Sequence, residues 1–327
     1  MAHIADMEGI EVGHVTDHDH HTGVTVALLS RSMPCGVDVR GGAPGTRETD
    51  VFSPLNLVET ADAVVFSGGS AFGLAAASGA MRFLHEKGRG VDTGFGKVPI
   101  VPAAVIWDFP LSGGKVFPTE EWGYRACQNA SKAEKGRGNV GAGAGATTGK
   151  LCGIENAMKS GIGSAVVSGA RGLTVGALCV VNSLGDVYDP QTGKPVAGVL
   201  SGDKKRLLDA RAIIHEISYA GISPGAATIV ALVAVNGNLS KLDMNRIARI
   251  AHGGIARAVF PSHTMLDGDT IFAVAAGGVD YPDLTICGAL AIEAMERAII
   301  DAVMSAEGVP GFPSAREIEK KYKNSHF

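Results

Sequence analysis

Ser223–Asn236 reads SPGAATIVALVAVN. Ser223, Pro224 and Gly225 form a cluster of turn formers, followed by Ala226, Ala227 and Thr228, then the apolar run Ile229–Val235. A short apolar run rich in β-branched residues and bounded by such breakers predicts a buried strand. Thr228 therefore stands where a loop enters a strand. A hydroxyl there is either inert or a nucleophile that becomes N-terminal when the Ala227–Thr228 bond is cut. The rest of the chain has to separate the two.

The chain has 327 residues, enough for one large domain or two ordinary ones, either with a full core. It is 46% hydrophobic and 19% charged, with 45 glycines, which fits a folded, loop-rich protein and not a disordered one. A formal charge of −4 offers no basic footprint for nucleic acid. No apolar run reaches the roughly 18 residues of a membrane span. The first residues, MAHIADMEGIEVGH, lack the basic and then apolar pattern of a secretory signal. Cys35, Cys127, Cys152, Cys179 and Cys287 are scattered and odd in number, without a CxxC, so neither a disulfide framework nor a zinc site is expected. A cytoplasmic location follows as the expectation.

Residues 1–60 alternate between apolar positions and glycines and predict short strands joined by tight turns. Ala63–Phe66 predicts a strand, and SGGSAFGLAAASG beyond it a glycine turn with a helix from about Ser70 to Glu86. The prolines of Val98–Asp108 confine that segment to an edge or irregular strand. Helix is expected around Glu120–Lys132, strands at Gly163–Gly169 and Thr174–Asn182, and a long loop over Asp186–Gly202. Asp203–Ala220 has helical spacing through Leu207, Leu208, Ile213, Ile214 and Ile217. Ser240 should cap a helix to about Ile255 with Leu242, Ile247, Ile250 and Ala251 on one face. Thr270–Ala275 reads as a strand and Leu284–Ala306 as a long apolar helix. Clustered strands with helices between the clusters predict an α+β protein of two sheets covered by helices.

Several stretches suggest chemistry. The glycine-rich segment Gly136–Lys150 is not a phosphate loop, which would need Gly at 144 and Ser or Thr at 151 where Ala144 and Leu151 stand. A GxGxxA match at Gly141–Ala146 is expected by chance in so biased a segment. What remains is close backbone approach, with Lys150 either solvated or held in a cleft to orient a nucleophile. Ser70 is no nucleophile elbow, because Phe72 replaces the required glycine, and it reads as the cap of a strand-to-helix turn. Asp17–His21 is a histidine- and aspartate-rich loop without a second ligand cluster. His252 and His263 invite a triad, for which the sequence supplies no geometry. Asp267-Gly268-Asp269 reads as a turn, yet two carboxylates two residues apart can serve one site, one accepting a hydrogen bond while the other, desolvated, shifts its pKa. Asn182 ends a strand, where an amide is either a turn residue or an oxyanion donor.

Taken in order, the blocks GIEVGHVTD, GVDVRGGAPGTRETD, SGGSAFGL, VPIVPAAVIWD, KSGIGSA, VGALCVVNSLGDV and AHGGIARAVFPSHTMLDGDTIFAVA make the chain resemble the L-aminopeptidase/D-esterase (DmpA-like) family of self-processing N-terminal-nucleophile hydrolases. That family includes β-peptidyl aminopeptidases and 6-aminohexanoate-oligomer (nylon oligomer) hydrolases. The resemblance implies a four-layer αββα sandwich, similar to ornithine acetyltransferases, made as one precursor that cuts itself into 1–227 and 228–327. It places the nucleophile at Thr228, a lysine at Lys150, an oxyanion-side asparagine at Asn182, and an acidic pair at Asp267 and Asp269. The Asp-Gly-Asp form leans toward the nylon-oligomer hydrolase branch. Family precursors usually carry Asn or Gly before the nucleophile, where Ala227 stands here; ornithine acetyltransferases also cut at Ala–Thr. Trp107 stands where relatives often have Tyr or Phe beside the substrate pocket.

The activity so implied is hydrolysis of a small amide or peptide through an acyl-enzyme on Thr228, with no metal or organic cofactor and no nucleic-acid or membrane partner. The processed αβ units are expected to form a homo-oligomer, a tetramer or larger. An acyltransferase of similar architecture is the alternative, and a non-catalytic small-molecule-binding homologue the second.

Overall fold

The computed structural model describes residues 1–216, 226–280 and 282–324. Its principal elements are β1 (Ile10–Asp17), β2 (Thr22–Val39), β3 (Thr60–Ser67), α1 (Ala76–Glu86), β4 (Ala103–Val105), α2 (Glu120–Asn129), β5 (Ile162–Ser168) and β6 (Thr174–Asn182). They continue with β7 (Thr228–Gly237), α3 (Lys241–Ala258), β8 (Thr270–Val279) and α4 (Leu284–Ser305). The strand predicted over Ile229–Val235 is β7. Of the breaker cluster before it, Ser223, Pro224 and Gly225 lie outside the described residues.

The strands form two stacked layers joined by β2. Its first half pairs with β1 and β3, and its last residues, Cys35–Val39, pair with β8. One layer therefore runs β5-β6-β7-β8-β2, and the other carries β1, β2, β3 and β4 with the short strand Thr46–Arg47 at its edge. β7 and β8 are parallel, as are β3 and β4; the other pairings are antiparallel.

Three of the buried apolar clusters fill the spaces between these layers. Ile229, Ala231, Val233 and Val235 of β7 face α3 and α4, while Val230, Leu232 and Ala234 face the second sheet and meet Leu29, Val64 and Phe66. Both faces of β7 are thus covered, which is why its sequence is apolar without alternation. On the far side, Val24, Val26, Ala63 and Val65 pack on Ala76, Ala80 and Leu84 of α1 and Ala126 of α2. The order helix, sheet, sheet, helix is the αββα sandwich. Among the described residues no helix is long and apolar enough to cross a membrane.

Several expectations need correction. The short strands expected within residues 1–60 are fewer and longer: the stretches GVTVALL (23–29) and GVDV (36–39) belong to one 18-residue strand, β2, with a register shift between Leu28 and Met33 that carries it past Ser30-Arg31-Ser32. β4 is not an edge strand: its prolines precede it, and β3 and Thr46–Arg47 flank it. The long loop expected at Asp186–Gly202 holds a hairpin, Asp186–Tyr188 against Pro195–Ala197. Its first strand also pairs with Val259–Phe260, and the Asp186 carboxylate accepts from Val199 N and Ala210 N, both at 2.7 Å. Of the helix expected over Asp203–Ala220, the described part contains only Ala210–Ile213. In α3, Ser240 does form a capping box with Asp243, and Ile247 and Ala251 are buried. Leu242 and Ile250 instead remain 46% and 37% exposed, so the buried stripe runs through Met244, Ile247, Ala248, Ala251 and Ile255. Ser70 makes no side-chain cap; it sits in the left-handed region at φ 53° after Gly69.

Glycine sets how closely α1 and α2 cross. A Cβ on Gly79 would lie 1.8 Å from the Glu120 carbonyl oxygen, and one on Gly123 1.8 Å from that of Ala76. No rotamer change relieves a clash with backbone. Gly79→Ala should therefore cost about 1–3 kcal/mol in chemical denaturation. Gly202→Ala, surrounded by open space, should stay within about 0.5 kcal/mol of the parent.

Candidate active site

Strand direction assembles the site. β6 runs antiparallel to β7, and β7 parallel to β8, so the end of β6 and the starts of β7 and β8 meet at one end of the sheet. Asn182 pairs with Thr228 in the register, and Ala227 bridges to Asp267. Thr228 is 2% exposed. Its Oγ1 donates to the carbonyl oxygen of Ala227, which also accepts the Gly268 N–H at 3.0 Å.

Lys150 reaches this point from the glycine segment. Gly149, at φ 75°, packs where a Cβ would lie 2.0 Å from the Gly198 carbonyl carbon, and Lys150 N donates to Leu184 O at 2.8 Å. The side chain is 1% exposed. Its Nζ donates to Asn182 O and Asn182 Oδ1, both at 2.7 Å, and to Ala226 O at 3.0 Å. Burial pushes its pKa well below the ordinary lysine value, against the opposing pull of Asp267. Asn182 Oδ1 further accepts from Thr147 N at 3.0 Å, while its Nδ2 donates to Trp107 O at 3.1 Å and lies 3.5 Å from Ala226 O. Trp107 thus borders the site through its backbone, and its ring leans on Phe109 with centroids 6.0 Å apart.

The two carboxylates do different things. Asp267 Oδ2 accepts from Thr264 N at 2.8 Å and Thr264 Oγ1 at 2.5 Å. Burial, and then the neighbouring Asp269, raise its pKa to about 6, with the Thr264 hydrogen bonds and Lys150 opposing. Asp269 Oδ1 accepts the Ile229 N–H at 2.7 Å, and its Oδ2 accepts from His263 Nδ1 at 2.7 Å and His263 N at 3.2 Å.

The structure therefore gathers Ala227, Thr228, Lys150, Asn182, Asp267 and Asp269, with the Trp107 carbonyl at the margin. His263 joins them through Asp269, and His252 lies against His263 at a centroid distance of 4.8 Å. The Asp17–His21 loop stays apart as a surface turn closed by His20 Nδ1 to Asp17 at 3.0 Å. Sequence reasoning passed over Gly268, whose backbone N–H holds the Ala227 carbonyl. Its place between two candidate carboxylates was the available signal.

The chain matches the model of peptidase family S58 over residues 2–316. It belongs to peptidase family S58. An uncharacterised aminopeptidase of Mycobacterium tuberculosis is 40% identical to this S58 chain, the match covering 97% of it and 98% of the relative. The 6-aminohexanoate-oligomer endohydrolase of Kocuria sp. is 29% identical, covering 91% and 84%. The solved L-aminopeptidase D-Ala-esterase/amidase of Ochrobactrum anthropi, described as a variant of the Ntn hydrolase fold, superposes with a TM-score of 0.72 at 21% identity, over 98% and 94% of the two chains. The S58 chain is a hydrolase of peptide or amide bonds.

The raised Asp267 pKa has a consequence for stability. A carboxyl whose pKa rises on folding favours the folded state fully below its ordinary value of 3.8, and this contribution is lost as the pH climbs through about 6. Asp267→Asn keeps an oxygen for Thr264 and cannot ionise. Its unfolding temperature should therefore decline less than the parent's between pH 4 and pH 7; parallel curves would remove Asp267 as the titrating group.

Proposed function

We propose that this S58 hydrolase is a self-processing N-terminal threonine hydrolase. The observation that carries the reading is the Thr228 hydroxyl held against the carbonyl of its own preceding peptide, whose oxygen is already gripped by the Gly268 N–H. Attack of Oγ1 on the Ala227 carbonyl carbon forms an oxyanion at that oxygen, where Gly268 N–H stabilises it. Collapse breaks the Ala227–Thr228 C–N bond, the nitrogen takes up a proton, and an ester links Ala227 to Thr228. Water then hydrolyses the ester and leaves residues 1–227 and 228–327.

The freed α-amine of Thr228, with a pKa near roughly 7.7–8.0, serves as base for its own hydroxyl in turnover. Oγ1 attacks the substrate carbonyl, the leaving amine takes the proton, and water hydrolyses the acyl-enzyme. Release of the Ala226–Ala227 end removes the Ala226 oxygen as an acceptor for Asn182 Nδ2, which then turns to the substrate oxyanion. Lys150 holds Asn182 and supplies positive charge, and Asp267 and Asp269 fix the segment that faces Thr228. Substrates are small peptides or linear amides, a class suggested by the names of the aminopeptidase and 6-aminohexanoate-oligomer relatives. Trp107 borders the pocket. Five free cysteines accord with the reducing cytoplasm.

Intact-mass measurement of purified protein should show the two fragments, and Thr228→Ala should remain full-length and inactive. Activity in an uncut Thr228→Ala protein would transfer the nucleophile elsewhere. Asn182→Ala should fold and lose about 10²–10³ in kcat, assayed on L-, D- and β-amino acid p-nitroanilides and 6-aminohexanoate oligomers. The processed units are proposed to associate as a tetramer or larger, in keeping with the apolar Ile250 and Ile286 left on the outer side of α3 and α4. Light scattering should therefore report at least four times the 33.5 kDa chain mass; a monomer removes that part.

A further inference from the structure

We propose that His263 is a positioning residue for the hydrolytic site: its Nδ1–H orients Asp269 so that the other carboxylate oxygen fixes the Thr228–Ile229 peptide. The inference rests on the reading of Thr228 as nucleophile. Asp269 spans two segments, accepting Ile229 N on Oδ1 at 2.7 Å and His263 Nδ1 on Oδ2 at 2.7 Å. Ile229 N belongs to the peptide that leaves Thr228. Once the bond before Thr228 is cut, its covalent tether on that side is gone. The nucleophile is then held by strand pairing to Asn182 and by this one carboxylate.

His263 is held in place at some cost. Its backbone lies in the left-handed region at φ 56°, uncommon for a side-chain-bearing residue. Its ring stands edge-on to His252, whose Nε2 donates to the Asp38 carbonyl at 3.1 Å. With Nδ1–H committed to the carboxylate, His263 Nε2 is buried with no hydrogen-bond partner among the described residues. A residue there only to fill space would not require a buried, unpaired ring nitrogen. Among the described residues its side chain hydrogen-bonds to Asp269, and Asp269 in turn touches the nucleophile's peptide.

Two variants isolate that bond. Asn and Gly both accept left-handed backbone, but only Asn places an N–H donor near the Nδ1 position. In processed enzyme, assayed on the amino acid p-nitroanilide or 6-aminohexanoate oligomer that the parent hydrolyses fastest, His263→Gly should lose about tenfold or more in kcat with KM within about threefold. His263→Asn should recover kcat to within about threefold of the parent. Equal kcat in the Gly and Asn variants overturns the proposal, as does a Gly variant whose loss lies in KM. Thr228→Ala, run alongside, reports on the nucleophile separately. If it is active, the parent reading falls and the role of His263 with it; if it is inactive while the Gly and Asn variants match, only the role of His263 falls.

Discussion

Parallel pairing of β7 with β8 is the constraint from which the site follows. Two parallel neighbours cannot be joined by a tight turn, so the chain after β7 must cross back over the sheet, and α3 is that crossover. It buries the outer face of β7 as it returns. The same geometry sets the start of β8 beside the start of β7, so Asp267-Gly268-Asp269 faces Ala227-Thr228. Antiparallel β6 then delivers Asn182 to the same end from the other side. With either direction reversed, these residues would stand at opposite ends of a strand.

Lys150 is the second constraint. A lysine with 1% exposure is costly unless its donors are met, and here three oxygens surround Nζ. Two belong to Asn182 and one to Ala226, so the amine joins the glycine segment, the end of β6 and the residue before Ala227. Lys159 braces the other side of the glycine segment, donating to the Gly143 and Ala146 carbonyls, each at 3.1 Å. Burial lowers its pKa to about 7. Two buried lysines thus hold a stretch with too few side chains to hold itself.

What could be read from the sequence was what local physics dictates. The apolar run of β7 announced a buried strand, Thr174–Asn182 announced another strand, and Ser240 announced a helix start. The ordered blocks pointed to the αββα sandwich and to the residues that now surround Thr228. Distant partners were harder to see. β2 reads as two strands because Ser30-Arg31-Ser32 interrupts its pattern, and only pairing with β3 and β8 carries it through. The hairpin at Asp186–Ala197 depends on Val259–Phe260, more than sixty residues on by sequence number. Leu242 and Ile250 misled because α3 carries more apolar residues than its buried stripe uses. The link from His263 to Asp269 comes with a left-handed backbone at His263 itself, which composition does not reveal.

The strand order also decides what a break before Thr228 means for the molecule as a body. In the sheet β5-β6-β7-β8-β2, the two strands after that peptide lie inside, and those on either side of them come from before it. One segment is inlaid in the other, hydrogen-bonded along both flanks and covered by packing above and below. Severing the backbone at 227–228 changes connectivity without creating a seam. To part, the pieces would have to open two ladders and two cores together, so covalent continuity at this point is dispensable to the architecture.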